Sequence, residues 1–139
     1  MRAVVDTSAI VASVLDGANA HDECARAIRD ADAFAAGHAW FEAVSVLTRL
    51  PPDLRLSTAD AHRVVERAVS GTRLLSVKDQ KDLRAWLAAS EVSGGAIYDA
   101  LVGWVARAAD VPLITRDQRA LPTYRHLGIE VLVIAPALA

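Results

Sequence analysis

The sequence predicts an α/β fold in which a parallel β-sheet carries helices on both faces. Three observations lead there. Short apolar runs alternate with longer stretches of helical periodicity along the chain. Several of these runs stop abruptly on a polar or small residue, as Ala3-Val4-Val5 does on Asp6. The 139 residues are 53% hydrophobic and 23% charged, which suits one globular domain, residues 1–139, with a core of its own.

The elements follow in order. Ala3-Val4-Val5 reads as a buried strand, and Thr7 or Ser8 is placed to cap a helix through Ile10, Val11, Val14 and Leu15. Residues 20–31 form a modest helix, and Ala33-Phe34-Ala35-Ala36 a second strand ending at Gly37. Ala39 to Leu50 is a helix closed by Pro51-Pro52, with Glu42 in its first turn, where it also suits the helix dipole. Ser57 or Thr58 opens a helix with Ala61, Val64, Val65, Ala68 and Val69 on one face, and Gly71 caps its end. Leu74-Leu75-Ser76-Val77 is the third strand, followed by a helix with Leu83, Trp86 and Leu87. After the break at Ser93-Gly94-Gly95 comes the most apolar helix, Ala96 to Ala109. Val111 to Ile114 is the fourth strand, Gln118 to His126 a short helix, and Glu130 to Ile134 the fifth strand after Gly128.

The totals exclude several classes. A net charge of −2 rules out a globally basic nucleic-acid binder, so any such partner is attracted by a local patch or through metal ions. Cys24 is the single cysteine, which forbids an intrachain disulfide, fits a reducing compartment and reads as a packed small hydrophobe. Asp6 interrupts the first apolar run too early for a signal peptide, and Val131 to Pro136 is too short to span a bilayer. The expectation is a soluble cytoplasmic protein without membrane contact. His21, His38, His62 and His126 lack paired zinc spacing. Trp40, Trp86 and Trp104 read as packing residues, since apolar neighbours flank each at helical spacing.

Four acids stand apart from the surface charges: Asp6, Glu42, Asp99 and Asp117. Two lie at or just past strand ends and two near helix beginnings, and in a parallel sheet those positions share one edge. Four carboxylates there repel one another unless a cation or protons neutralise them. Hard oxygen donors of this kind suit Mg²⁺ or Mn²⁺, and the matching reaction is hydrolysis of a phosphodiester by water that the metal activates. Three of the acids also have a plainer use: Asp6 begins a turn, Asp117 caps a helix, and Glu42 answers a dipole; Asp99, in a helix that reads as buried around it, is the least ambiguous. Arg116, Arg119 and Arg125 follow strand four, where they either hold substrate phosphates or form a solvated helix face.

These residues resemble a known family. Asp6-Thr7-Ser8 after a first strand, Glu42 heading a helix that reads Val46-Leu47-Thr48-Arg49-Leu50, Tyr98-Asp99-Ala100-Leu101, and Leu113-Ile114-Thr115-Arg116-Asp117 look like the motifs of PIN-domain ribonucleases, above all VapC toxins of type II toxin–antitoxin systems. The ordered set runs over nearly the whole chain. The resemblance implies a three-layer sandwich around a five-stranded parallel sheet in the order 3-2-1-4-5. It further implies Mg²⁺- or Mn²⁺-dependent endoribonuclease activity, a homodimer, and a VapB-type antitoxin that joins the toxin in a hetero-oligomer and blocks its site. Carried over by position, Asp6 and Asp99 are the main metal ligands and Asp117 completes the cluster. Glu42 holds a water or acts as a base, and Thr7 and Thr115 orient the carboxylates. Arg116 and Arg119 are candidate RNA contacts.

Rival readings fit less well. A magnesium-dependent phosphotransferase or phosphatase of the haloacid dehalogenase type needs a second Asp two positions after Asp6, where Ser8 stands. A receiver domain needs a Lys ending a late strand, and none follows Lys81. A non-catalytic PIN-like interaction module would keep the fold and lose the metal, and the retention of all four acids argues against it.

Overall fold

The computed structural model describes residues 2–135. Its sheet is five-stranded and parallel, in the order β3-β2-β1-β4-β5. The strands are β1 (Val4–Val5), β2 (Phe34–Ala36), β3 (Thr72–Arg73), β4 (Leu113–Thr115) and β5 (Val131–Val133). β1 lies at the centre, with Val4 opposite Phe34 on one side and Leu113 on the other. β1 and its neighbour β4 are covered on both faces: Val4, Val5, Leu113 and Ile114 are all solvent-free.

The helices are α1 (Thr7–Val14), α2 (His21–Asp30), α3 (Gly37–Thr48), α4 (Thr58–Ala68), α5 (Val77–Ser90), α6 (Ala96–Ala109) and α7 (Leu121–His126). Helices α1 to α4 pack on one another, as do α5 to α7. The chain moves outward from β1 to β3 through the first group, then crosses to β4 and β5 through the second. Parallel strands are joined by right-handed crossovers almost without exception, which with this strand order sets the two groups on opposite faces. The main core surrounds β1, β2 and β4, and includes Ile10, Leu47 and Val65 from the first group with Val105 and Tyr124 from the second. A smaller cluster joins Leu83, Ala100, Trp104 and Leu127.

Trp104 is buried, with Arg107 over its ring and Trp86 beside it, while Trp40 packs half-buried against the core. Cys24 is solvent-free, and burial pushes its thiol up to about 11, so it packs as a hydrophobe. No helix among the described residues is long and apolar enough to cross a membrane. Pro136 lies outside the described residues.

Several boundaries differ from expectation, each for a local reason. The third strand is Thr72–Arg73, not Leu74–Val77. Pairing of Ala35 with Thr72 and Ala36 with Arg73 fixes it, and Ser76 then caps α5 by accepting from the Asp79 N–H at 3.0 Å. Leu74 and Val77 are left 76% and 72% exposed, so apolar composition misled where a polar edge strand was wanted. Gly71 does not cap α4, which ends at Val69 in extended backbone and passes straight toward β3. Helix α3 begins at Gly37, two residues early, directly off β2. Glu42 is therefore beyond the first turn, and the plain role of dipole partner falls away. The cap of α1 is Asp6 itself, not Thr7 or Ser8, which are its first helical residues. The left-handed Gly128, at φ 73°, makes the turn into β5.

Candidate active site

The C-terminal edge of the sheet collects the four acids. Asp6 leaves the end of β1, Glu42 projects from α3, Asp99 from the first turn of α6, and Asp117 from the loop after β4. All four line one cavity of about 50 Å³, with Thr7, Ser8, Tyr98, Val102, Arg119 and Tyr124 completing the wall. Roomier hollows exist, such as one of about 340 Å³ bordered by Arg29 and Arg67, but Asp32 is the one acid in its lining. Convergence of charge, not volume, marks the site.

Asp6 is buried and fully engaged. Its Oδ1 accepts from the Ser8 hydroxyl at 2.6 Å and the Ala9 N–H at 3.3 Å. Its Oδ2 accepts from the Tyr124 hydroxyl at 3.0 Å and from the Thr115 hydroxyl. Burial raises the proton affinity of Asp6, and these hydrogen bonds pull it back. Four donors occupy about as many lone-pair sites as a carboxylate offers, so an ion reaching Asp6 directly must displace one of them. The same burial together with the Asp6 charge drives the Tyr124 phenol far up, which keeps it a hydrogen-bond donor.

The remaining side chains are held by short local contacts. The Thr7 hydroxyl donates to Glu42 Oε2 at 3.2 Å, and His38 Nε2 lies 3.7 Å from the same oxygen. The Thr115 hydroxyl also accepts from the Asp117 N–H at 2.9 Å, linking the ends of β1 and β4 through Asp6. Asp117 caps the short 3₁₀ turn Gln118–Ala120, accepting the Arg119 N–H at 3.0 Å, and yet it lines the cavity. Asp99 is half-buried; burial raises its proton affinity first, the charges of Asp117, Asp6 and Glu42 raise it further, and Arg119 opposes them. Like charges pressed together around one space are the electrostatic mark of a cation site.

Of the two arginines picked out from the sequence, the cavity takes one. Arg119 lines it, with Nη2 3.1 Å from Asp117 Oδ2. Arg116 points elsewhere: its N–H holds Ser8 Oγ at 2.9 Å and its guanidinium reaches Asn19 at 3.4 Å. Sequence reasoning missed Tyr124 and gave Ser8 no part beyond a helix cap. Tyr124 sits 118 positions from Asp6, in a short helix whose other residues look like surface, so nothing local announces it.

The donor chemistry fits a hydrated divalent ion. Among the described residues no three His, Cys, Asp or Glu side chains form a ready cage. Mg²⁺ does not call for one, since it keeps several waters and binds through one or two carboxylates. A space of about 50 Å³ between four carboxylates has the charge for such an ion and room for a few of its waters. Asp99, partly buried in the cavity wall and crowded by three like charges, is the acid best placed to bind it.

Tyr124 is itself placed by close packing of α6 on α7. A Cβ added at Gly103 would fall 2.5 Å from Leu127 Cδ1 and 3.1 Å from Tyr124 Cδ1. Gly103→Val is expected to cost about 1–3 kcal/mol by overpacking. It is also expected to lower activity, because the displaced ring takes its hydroxyl away from Asp6. Chemical denaturation and an activity assay on the same sample check both; full stability in this variant contradicts the packing described.

Comparison with known proteins agrees with the geometry. The model of the PIN domain matches residues 3–126. Ribonuclease VapC27 of Mycobacterium tuberculosis (strain ATCC 25618 / H37Rv) is 40% identical over 131 residues, covering 94% of this chain and 96% of the relative. Among solved structures, the crystal structure of Mycobacterium tuberculosis VapC20, described as a sarcin–ricin loop cleaving toxin, aligns with a TM-score of 0.65 at 16% identity, over 86% of this chain and 92% of that one. A toxin–antitoxin complex from Klebsiella pneumoniae aligns with a TM-score of 0.61 at 16% identity, over 94% and 96%. At such identities the two structures speak to the fold alone.

Proposed function

The chain belongs to the PIN-domain family and, within it, to the VapC ribonucleases; from that premise we propose that it is the endoribonuclease toxin of a type II toxin–antitoxin module. The observation that carries the reading is the convergence of Asp6, Glu42, Asp99 and Asp117 on one cavity at the strand ends. Asp99 would hold Mg²⁺ or Mn²⁺, joined by Asp6 once one of its four donors gives way, with Asp117 reaching it through water. Such an ion, when bound, lowers the pKa of water and offsets negative charge on the phosphate.

The chain's own groups do the rest. Glu42, steadied by Thr7, accepts the proton of the attacking water. The oxygen of that water bonds to phosphorus, the bond from phosphorus to the leaving ribose oxygen breaks, the leaving oxygen takes a proton from solvent water, and Glu42 returns its proton to solvent. Thr115, Ser8 and Tyr124 hold Asp6 in one orientation. Arg119 can exchange its contact with Asp117 for phosphate oxygens as the substrate arrives. Water is the nucleophile in this scheme because the cavity wall contains no cysteine or histidine to activate a side chain.

The same reading places the protein in the cytoplasm as a homodimer, inhibited by a VapB-type antitoxin. Phe41 and Leu74, both exposed, border one groove and supply apolar surface for a partner to cover. The test of the toxin reading is growth arrest on expression, relieved by co-expressing the antitoxin candidate from the adjacent reading frame. Equal growth with and without induced protein contradicts it.

A further inference from the structure

Tyr98 stands at the mouth of the acidic cavity with no part in the chemistry described above. It precedes Asp99 in the first turn of α6 and lines the cavity, yet it remains 57% exposed. One face of its ring is taken: the His38 imidazole lies nearly parallel, with centroids 5.2 Å apart and planes 11° from each other. His38 in turn stands 3.7 Å from Glu42, so the stacked pair is tied to the acids. An aromatic ring held open to solvent beside a phosphate-cleaving centre is an arrangement suited to a nucleobase, whose flat face any aromatic ring accepts.

Resting on the ribonuclease reading, we propose that Tyr98, backed by His38, is the stacking surface for the base of the nucleotide next to the phosphate that is cut. A base can lie on this ring only after leaving the stack of an RNA helix. The pair therefore confines cleavage to unpaired RNA, and it positions the substrate without touching the bond that breaks. Tolerance of base identity follows too, because stacking reads a face and not a hydrogen-bonding edge.

The test is steady-state cleavage of a short single-stranded RNA oligomer by the wild type, Tyr98→Phe and Tyr98→Ala in Mn²⁺. The oligomer is then remade with an abasic nucleotide on either side of the mapped cut. Tyr98→Phe is expected to behave as wild type. Tyr98→Ala is expected to raise KM about tenfold with kcat little changed, the effect of losing one stacked base. One abasic position should raise the wild-type KM equally and leave Tyr98→Ala no worse. The melting temperature of Tyr98→Ala should stay at the wild-type value, since the ring is exposed. An unchanged KM in Tyr98→Ala, or abasic and alanine effects that simply multiply, overturns the inference. So does a Tyr98→Ala variant that cuts normally but escapes its antitoxin, which would assign the ring to a protein interface. Failure of the wild type to cut any RNA brings down the ribonuclease reading, and this inference with it.

Discussion

Asp99→Asn is expected to keep the fold and lose cleavage. The substitution preserves shape and removes a charge from the carboxylate that Asp117, Asp6 and Glu42 crowd most closely in the cavity. Its effect on kcat is expected to be at least on the order of 100-fold, the size seen when one electrostatic stabiliser of a transition state is removed. The neighbours Ala100 and Val102 are buried and untouched, so the far-ultraviolet spectrum should not change. Normal turnover in this variant would detach the acidic cavity from the activity.

The second large effect is on stability and reverses with metal. In the metal-free protein burial and the charges of Asp117, Asp6 and Glu42 disfavour ionised Asp99, so Asp99→Asn is expected to melt higher than wild type. The sign follows from linkage. Burial and like charges raise the folded-state pKa of Asp99 above its unfolded value of about 3.9. As pH rises, the unfolded chain releases this proton first, so metal-free stability falls between that value and the raised one. The variant lacks that part of the fall, and its advantage vanishes at pH values below both. With Mn²⁺ at about one hundred times its Kd, the wild type gains about 2.7 kcal/mol. Asp99→Asn is expected to forgo most of that gain and become the less stable of the two. Melting curves at two pH values, with and without Mn²⁺, check every part; a variant that melts lower than wild type without metal contradicts the crowding of charge.

What the sequence disclosed depended on how local the signal was. β1, β4 and their terminal acids were legible because a fully buried strand reads as an apolar run and Asp stops it sharply. Helix α6 was equally plain, with Val102, Trp104 and Val105 at core spacing. Apolar Leu74 and Val77 misdirected the third strand, because edge pairing is decided by register with Ala35 and Ala36, not by composition. The Asp6 network was only partly legible. Thr115 could be picked out from its motif, whereas Tyr124 reaches Asp6 from a distant helix and Ser8 serves both Asp6 and the Arg116 backbone. Likewise Arg116 and Arg119 look equivalent in sequence, and the 3₁₀ turn after Asp117 turns just one of them to the cavity.

The most direct measurement of the central claim is the chemistry of the new RNA ends. Wild type and Asp99→Asn are incubated with a structured RNA pool in Mn²⁺ and in EDTA, and the products are sorted by terminal group. The account predicts linear phosphate ends without 2′,3′-cyclic phosphate, formed by wild type in Mn²⁺ and absent with EDTA or Asp99→Asn. Cyclic phosphate ends, which mark attack by the RNA's own 2′-hydroxyl, or cutting that persists in EDTA, would contradict it.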